Sequence, residues 1–420
     1  MSLNKVCVLG LGYIGLPTAA LMASRGIEDV GVDINQSVVD SVNQGKVHIV
    51  EPLLDAVVQA AVASQRLKAA TSPEAAEVFM IAVPTPINAD NGSDMRAVLS
   101  AVDAIAPVLK SGDLVILEST SPVGSTDLIT QRMAVARPDL RFPGQGAEGP
   151  VDVHVAYCPE RVLPGKVIEE LVSNDRAIGG LSPACTELAI SLYRKFVEGE
   201  LVPTRAREAE LCKLAENAFR DVNIAYANEL SNVCDIHGID VWEVIRLANR
   251  HPRVNILNPG PGVGGHCIAV DPWFIVESAP DDTPLIRAAR GVNDERPHRA
   301  VEKIRAAVEG ISSPVVACLG LAFKPDIDDL RESPAVDVVM HLSSQPGLTV
   351  LAVEPNIESL PVRIRDAGVE LVDLETALSR ADAVALLVDH KTFRDNSTLI
   401  AECDRVIDTR GALPRPALFP

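Results

Sequence analysis

The sequence predicts an α/β protein: two doubly wound domains, each a parallel sheet covered by helices, joined by a central helical region with one long helix. Three observations carry this. Short apolar strands alternate with helical patterns over residues 1–200 and again over 309–420. Between them, Arg205 to about His237 runs helical without a Pro or Gly, longer than most globular helices. Apolar residues make up 47% of the chain and aromatics only 3%, so the core must be aliphatic, as in parallel strands buried on both faces.

Taken in order, Asn4 to Leu9 reads as a buried strand, Gly10 to Gly15 as a glycine turn, Pro17 to Ser24 as a helix and Asp29 to Asp33 as a second strand. This is one βαβ unit. Strands follow at Val78 to Val83 and Asp113 to Glu118, with a helical pattern from Arg96 to Leu109 between them. After the long helix, a second helical region spans Pro284 to Val308. Strands then return at Pro314 to Gly320, Leu348 to Val353, Val369 to Val372, Ala381 to Val388 and Asp404 to Asp408, which makes the last third a smaller α/β domain. The expected division is 1–200, 201–308 and 309–420. Phe142 to Pro150, rich in Gly and Pro, reads as a loop of no assigned purpose.

Composition narrows the function. Fifty-seven acidic against 38 basic side chains give a net charge of -19, which repels nucleic acid and anionic lipid. The longest apolar runs, Val315 to Phe323 and Ala383 to Val388, are far shorter than the roughly 18 residues a membrane span needs, so no membrane partner is expected. Eight scattered cysteines without a C-x-x-C pair fit a reducing compartment, the cytoplasm, and neither a disulfide scaffold nor a metal site.

Gly10, Gly12 and Gly15 form G-x-G-x-x-G between a strand and a helix, the spacing that lets backbone approach a pyrophosphate at a helix amino terminus. Tyr13 and Ile14 of the same turn are candidate contacts. Asp33, about 20 residues on, supplies the carboxylate that bonds ribose hydroxyls and repels a 2′-phosphate, so NAD is expected rather than NADP. Val83-Pro84-Thr85-Pro86 and Glu118 to Thr126 follow strands where this fold faces its cofactor, making Thr85, Thr120 and Thr126 candidate hydroxyl donors to cofactor or water. Ordinary loops have the same look.

On the long helix, Lys213, Asn217 and Arg220 recur at intervals of four and three and share one face. Such spacing commonly marks a solvated face, yet a cation beside an amide is also what an oxyanion needs. Cys267 lies in Gly264-Gly-His-Cys-Ile-Ala-Val-Asp-Pro272, after a run too glycine-rich to be core. Lone cysteines are often small buried hydrophobes, and five or six of the other seven fit that description. Asp271, four residues on, is placed to reach the Cys267 thiol, whereas His266, being adjacent, is the weaker candidate base because neighbouring side chains often diverge. Glu160 and Arg161 follow another strand, and Lys324 and Arg331 sit at the top of the second sheet. With Arg253 these cations would form the local positive site that a diphosphate requires in an acidic chain.

Taken together, GLGYIGLP, VPTP, ESTSPVGST, YCPERVLPG, the Lys213–Asn217 spacing, GGHCIAVDP and GLAFKPDIDDLRESP resemble the UDP-glucose/GDP-mannose dehydrogenase family over nearly the whole chain. The resemblance implies an amino-terminal Rossmann-like NAD domain, a central region that makes a homodimer or larger homo-oligomer, and a carboxyl-terminal Rossmann-like domain for UDP, with the active site between the two α/β domains. It implies a four-electron oxidation of a UDP-sugar at the sixth carbon through a thiohemiacetal and a thioester. By motif match Cys267 is the nucleophile, Lys213 and Asn217 hold the oxygen of the reacting carbon, Asp271 handles protons, and Thr120 and Glu160 position water. Arg161, Val162, Arg220, His251, Arg253, Gly264, Phe323, Lys324 and Arg331 would contact the nucleotide sugar. Within the family, the wording HPRVNILNPGPGVGGHCIAVDPWFIV points to UDP-N-acetyl-D-mannosamine, with UDP-N-acetylglucosamine and UDP-glucose as alternatives.

Overall fold

The computed structural model describes residues 3–49, 51–144, 150–163 and 165–414. Its contacts divide the chain into two compact units, 1–216 with 273–280, and 217–272 with 281–420. Residues 201–308, expected as a central region, are thus distributed over both.

The first unit holds an eight-stranded sheet: β1 (Lys5–Leu9), β2 (Glu28–Val32), β3 (Leu67–Ala70), β4 (Val78–Ile81), β5 (Leu114–Leu117), β6 (His154–Tyr157), β7 (Arg176–Gly180) and β8 (Leu201–Arg205), in the order 3-2-1-4-5-6-7-8. All neighbours are parallel except β6 and β7. Alternation along each strand feeds two cores. Val6, Val8, Val78, Met80, Leu114 and Ile116 pack to one side, and Cys7, Leu9, Phe79, Ile81, Val115 and Leu117 to the other. Both faces are therefore apolar, which is why these strands read as continuous hydrophobic runs. β8 was not anticipated because Pro203 interrupts it, and Pro is tolerated there since β8 is the sheet edge.

The second unit carries a five-stranded parallel sheet: β9 (Val315–Leu319), β10 (Thr349–Val353), β11 (Glu370–Leu371), β12 (Ala383–Leu386) and β13 (Val406–Asp408), in the order 11-10-9-12-13. This repeats the 3-2-1-4-5 order of the first sheet. The correspondence reaches single bonds. Gly10 N–H donates to the Val32 carbonyl at 2.8 Å with φ +93°, and Gly320 N–H donates to the Val353 carbonyl at 2.8 Å with φ +92°. In each sheet the carboxylate after the second strand, Asp33 or Glu354, accepts from the next backbone N–H, that of Leu11 or Leu321.

The long helix spans Ala206–His237, 32 residues, as the unbroken pattern predicted. The expected helical region at Pro284–Val308 consists of two helices, Pro284–Asp294 and Arg296–Ala307, divided because Pro297 lacks an N–H to continue the ladder. Of the Phe142–Pro150 loop, Phe142 is buried, while 145–149 lie outside the described residues. No helix among the described residues is long and apolar enough to cross a membrane.

Candidate active site

After β1 the chain turns through Gly10 to Ile14 into the helix Gly15–Ser24. A Cβ on Gly10 would meet the Ala82 carbonyl oxygen at 2.5 Å, and the positive φ adds a second reason why only glycine serves there. A Cβ on Gly15 would lie 1.8 Å from the Gly10 carbonyl oxygen, so the helix seats directly on the turn. At Gly12 nothing lies within 4 Å of the Cβ position, which leaves its backbone open. Asp33, half-buried, is fixed alongside: Oδ2 accepts from Leu11 N–H at 3.1 Å and Oδ1 from Asn35 N–H at 2.9 Å. Tyr13 and Ile14 flank the opening, both half-buried. An open backbone turn ahead of a helix amino terminus, with a carboxylate at its side, fits the pyrophosphate and adenosine ribose of NAD.

The loops after β4 and β5 are tied to each other. Thr85 donates its hydroxyl to the Thr120 carbonyl at 2.5 Å, and Ser119 donates to the Val83 carbonyl at 2.7 Å. Thr126 is fully buried and gives its hydroxyl to Glu210 at 2.6 Å, so a donor expected to face cofactor is committed inside the protein. Glu210 also accepts from the Gly124 and Thr126 N–H groups at 2.6 and 2.8 Å. It thereby caps the helix Ser125–Ala136, whose own cap residue, Gly124, has no side chain to do so. The carboxylate comes from the long helix one turn before Lys213. Glu210 thus adds a buried carboxylate to the stripe that carries Lys213 and Asn217.

Glu160 is buried and already engaged. Oε1 accepts from Arg161 N–H at 2.5 Å, and Oε2 accepts from both terminal nitrogens of Arg176 at 3.1 and 3.2 Å. Burial works against the Arg176 charge, but the Glu160 carboxylate outweighs it and holds the guanidinium above its ordinary range. Beside this pair, Glu118 accepts from the Tyr193 hydroxyl at 2.6 Å while its Oε2 has no hydrogen-bond partner among the described residues. Burial pushes the Glu118 carboxyl up to about 7; Arg176 opposes the rise and Glu160 adds to it. None of Glu118, Arg176 and Tyr193 had been singled out. Arg161 lies nearby but spends its guanidinium on Glu216, at 2.7 Å, and the Asp175 carbonyl, while Val162 packs on the core.

In the second unit Asn217 and Asp271 meet: Asn217 Nδ2 donates to Asp271 Oδ2 at 2.5 Å, both side chains buried. Asp271 opens the helix Asp271–Ser278, and its N–H donates to the Cys267 carbonyl at 2.9 Å. That bond is one helical turn and puts Cys267 and Asp271 on the same side. Of the eight cysteines, only Cys267 is exposed; Cys7, Cys158, Cys185, Cys234 and Cys318 are buried. Lys213 is buried and makes no ion pair among the described residues. Arg220 instead points to the exposed side, because the buried stripe continues four residues after Asn217, through Asp221.

The loop before Cys267 is shaped by glycine. A Cβ on Gly264 would lie 2.4 Å from the Glu332 carbonyl oxygen, and one on Gly265, at φ +81°, would strike the Phe323 ring at 2.8 Å. Phe323 and the glycine loop are thus brought together. Lys324 is half-buried, and Arg331 pairs with Asp329 at 2.6 Å. His251 and Arg253 sit on an exposed turn, the Arg253 N–H directed at His251 Nδ1.

A cofactor turn on one open sheet and a lone exposed thiol on a glycine loop define an NAD-dependent oxidoreductase. Residues 4–197 match the NAD binding domain of the UDP-glucose/GDP-mannose dehydrogenase family, 207–295 its central domain and 317–415 its UDP binding domain. The chain belongs to that family. It is 58% identical over 408 residues to the NDP-N-acetyl-D-galactosaminuronic acid dehydrogenase of Ralstonia nicotianae, covering 97% of this chain and 96% of that one. It is 58% identical over 392 residues to the UDP-N-acetyl-D-mannosamine dehydrogenase of Campylobacter jejuni, covering 93% and 96%. Among solved structures, a UDP-D-ManNAc dehydrogenase from Pyrococcus horikoshii superimposes with a TM-score of 0.87 at 37% identity, over 99% of this chain and 97% of that one. The UDP-N-acetyl-mannosamine dehydrogenase of Staphylococcus aureus gives 0.86 at 41% identity, over 98% and 96%.

Proposed function

We propose that the chain oxidises the primary alcohol at the sixth carbon of UDP-N-acetyl-D-mannosamine to the carboxylate, consuming two NAD per sugar, in the cytoplasm. The observation that carries the reading is the exposed Cys267 thiol one helical turn from Asp271, in a chain with an NAD cradle. Bound at Gly10–Gly15 and Asp33, NAD supplies the hydride acceptor for both oxidations.

The roles assigned to the side chains follow from their chemistry. Asp271, held by Asn217, takes the proton of the alcohol as it becomes an aldehyde. The Cys267 thiolate adds to the aldehyde carbon, and the ammonium of Lys213 with the amide of Asn217 stabilises the oxyanion of the thiohemiacetal. Loss of a second hydride leaves a thioester on Cys267. After Asp271 has released the first proton to solvent, water attacks the thioester carbon, giving up a proton to Asp271, with Thr120 and Glu160 positioning it, and the Cys267 thiolate departs. Glu160 is suited to positioning rather than to proton transfer, since both of its oxygens already accept hydrogen bonds, from Arg161 N–H and from Arg176. Thr85 serves the cofactor side, while Thr126 acts from beneath by anchoring the loop.

Val162, Gly264, Phe323, Lys324 and Arg331 are assigned to the nucleotide sugar, along with Arg161, Arg220, His251 and Arg253. The last three, being exposed, suit contacts supplied to a partner subunit. A homodimer is assigned to the long helix, where Phe219, Tyr226 and Val233 stand exposed seven residues apart.

A galacto-configured substrate is the second reading, favoured by the 58% identity to the Ralstonia nicotianae enzyme. A panel of UDP-N-acetyl-D-mannosamine, its gluco and galacto epimers and UDP-glucose, assayed for NADH yield and product mass, separates these readings. Two NADH and a uronic acid from the manno sugar alone is the expected result, and turnover of another epimer in its place overturns the assignment. With Cys267→Ser the first oxidation proceeds but acid release stalls. Steady production of two NADH per sugar by that variant would refute the covalent route.

A further inference from the structure

Three strand ends of the second sheet meet at one imidazole. His390, four residues beyond the end of β12, is fully buried. Its Nδ1 accepts from the backbone N–H of Asp326 at 2.9 Å, which fixes Nδ1 as the unprotonated nitrogen and places the proton on Nε2. Nε2 lies 2.9 Å from Glu354 Oε2 and donates to it. Glu354 is also buried and accepts from Leu321 and Ala322 N–H at 2.8 and 3.1 Å, and from Asn356 N–H at 3.1 Å. Burial works against its charge, but the His390 bond and these backbone donors prevail and hold the carboxyl below its usual range.

The other end of the chain of bonds is Asp326. It follows Lys324 by two residues, in the loop that runs from Phe323 to Arg331, and adopts a left-handed backbone at φ +62°. A non-glycine residue keeps such a conformation only when its surroundings enforce it. Here the enforcement comes from the segment after β12: His390 takes the N–H, Lys391 N–H donates to Asp326 Oδ1 at 2.6 Å, and Arg394 donates to Oδ2 at 2.9 Å. The corresponding carboxylate of the first sheet, Asp33, accepts only from the Leu11 and Asn35 N–H groups among the described residues and remains half-buried. The second sheet has filled that place with a strut.

We infer that His390 is a positioning residue for nucleotide binding: by accepting the Asp326 N–H at Nδ1 it sets the loop that presents Lys324 to the diphosphate of the UDP-sugar, while its bond to Glu354 serves stability. This rests on the assignment of Lys324 to the nucleotide. The two nitrogens can be tested apart, because an Asn side chain places a carbonyl where Nδ1 stands and a Gln side chain places an amide N–H where Nε2 stands. His390→Asn keeps the acceptor for Asp326 and abandons Glu354; His390→Gln does the reverse.

With the full-length enzyme and UDP itself as the calorimetric probe, His390→Gln weakens UDP binding about tenfold, the worth of one hydrogen bond at a buried backbone donor. Its kcat at saturating UDP-sugar stays within about twofold, as expected when only uniform binding is lost. His390→Asn keeps UDP affinity near that of the parent but melts at lower temperature. Equal weakening by both variants makes His390 merely structural and overturns the proposal. Lys324→Ala tests the underlying assignment. If it weakens UDP binding while His390→Gln does not, the strut fails alone; if neither variant changes UDP affinity, the nucleotide assignment of the loop fails with it. Weakening by His390→Gln with Lys324→Ala silent overturns the proposal as stated, since His390 would then act through a residue of the loop other than Lys324.

Discussion

At the scale of single residues, the chemistry is set by which polar groups the interior admits. Glu118 is the sharpest case: buried, donated to by Tyr193, and facing Arg176, Glu160 and Cys158. Its carboxyl titrates at about 7 in the folded protein against an ordinary 4.5, because burial disfavours the ion. A raised folded pKa contributes stability that is complete below about 4.5 and is lost as pH climbs through 7. Glu118→Gln, which keeps an acceptor for Tyr193 and cannot titrate, should therefore gain on the parent as pH rises from 5 to 8, by about 3 kcal/mol at the upper end. Urea denaturation of both proteins across that range checks it. A constant difference at every pH would show that Glu118 is ionised throughout.

At the scale of elements, Glu210 joins two helices. Its carboxylate, on the long helix, stands in for the missing cap of Ser125–Ala136 and reaches three donors there. Removing it in Glu210→Ala strands buried N–H groups at a helix terminus, at a cost of about 3 kcal/mol, and Glu210→Gln, which retains one acceptor, should lose less than half of that. The midpoint of the first unfolding transition reads the difference; equal effects from the two variants would mean that packing, not hydrogen bonding, holds the loop.

What was legible in the sequence divides along the same line. The turn Gly10–Gly15 with Asp33, the Cys267–Asp271 spacing and the long helix were visible because each is a local pattern, fixed by periodicity or by residues within one βαβ unit. Glu210 with Thr126, Arg176 with Glu160 and His390 with Asp326 pair across 84, 16 and 64 residues. No spacing rule announces such pairs. Arg220 was misplaced for a subtler reason: steps of three and four are both neighbours on a helix, and burial, which the sequence does not print, selected Asp221. That both sheets are doubly wound was legible too, whereas the matching bonds of Gly10 and Gly320 and of Asp33 and Glu354 were not, because each joins separate strands.

At the scale of the whole molecule, the long helix is where the proposed homodimer can be tested. A 32-residue helix in water draws its stability from packing an apolar face, and much of its buried stripe here is polar: Glu210, Lys213, Asn217, Asp221, Asn228 and Ser231. Meanwhile Phe219, Tyr226 and Val233 are 68%, 56% and 47% exposed, at heptad spacing, with Ile236 and Ile239 exposed near the end of the same stretch. Covering a large apolar side chain contributes about 1.5 to 3 kcal/mol, so a two-fold arrangement that buried the stripe of both copies would add to the helix's stability, as the proposed homodimer requires. Light scattering of the parent should give the mass of a dimer or a multiple of it. Replacing Phe219, Tyr226 and Val233 together by Glu should yield a monomer, with melting temperature lowered and independent of protein concentration. Retention of the parent's mass by the triple variant would move the interface off this helix.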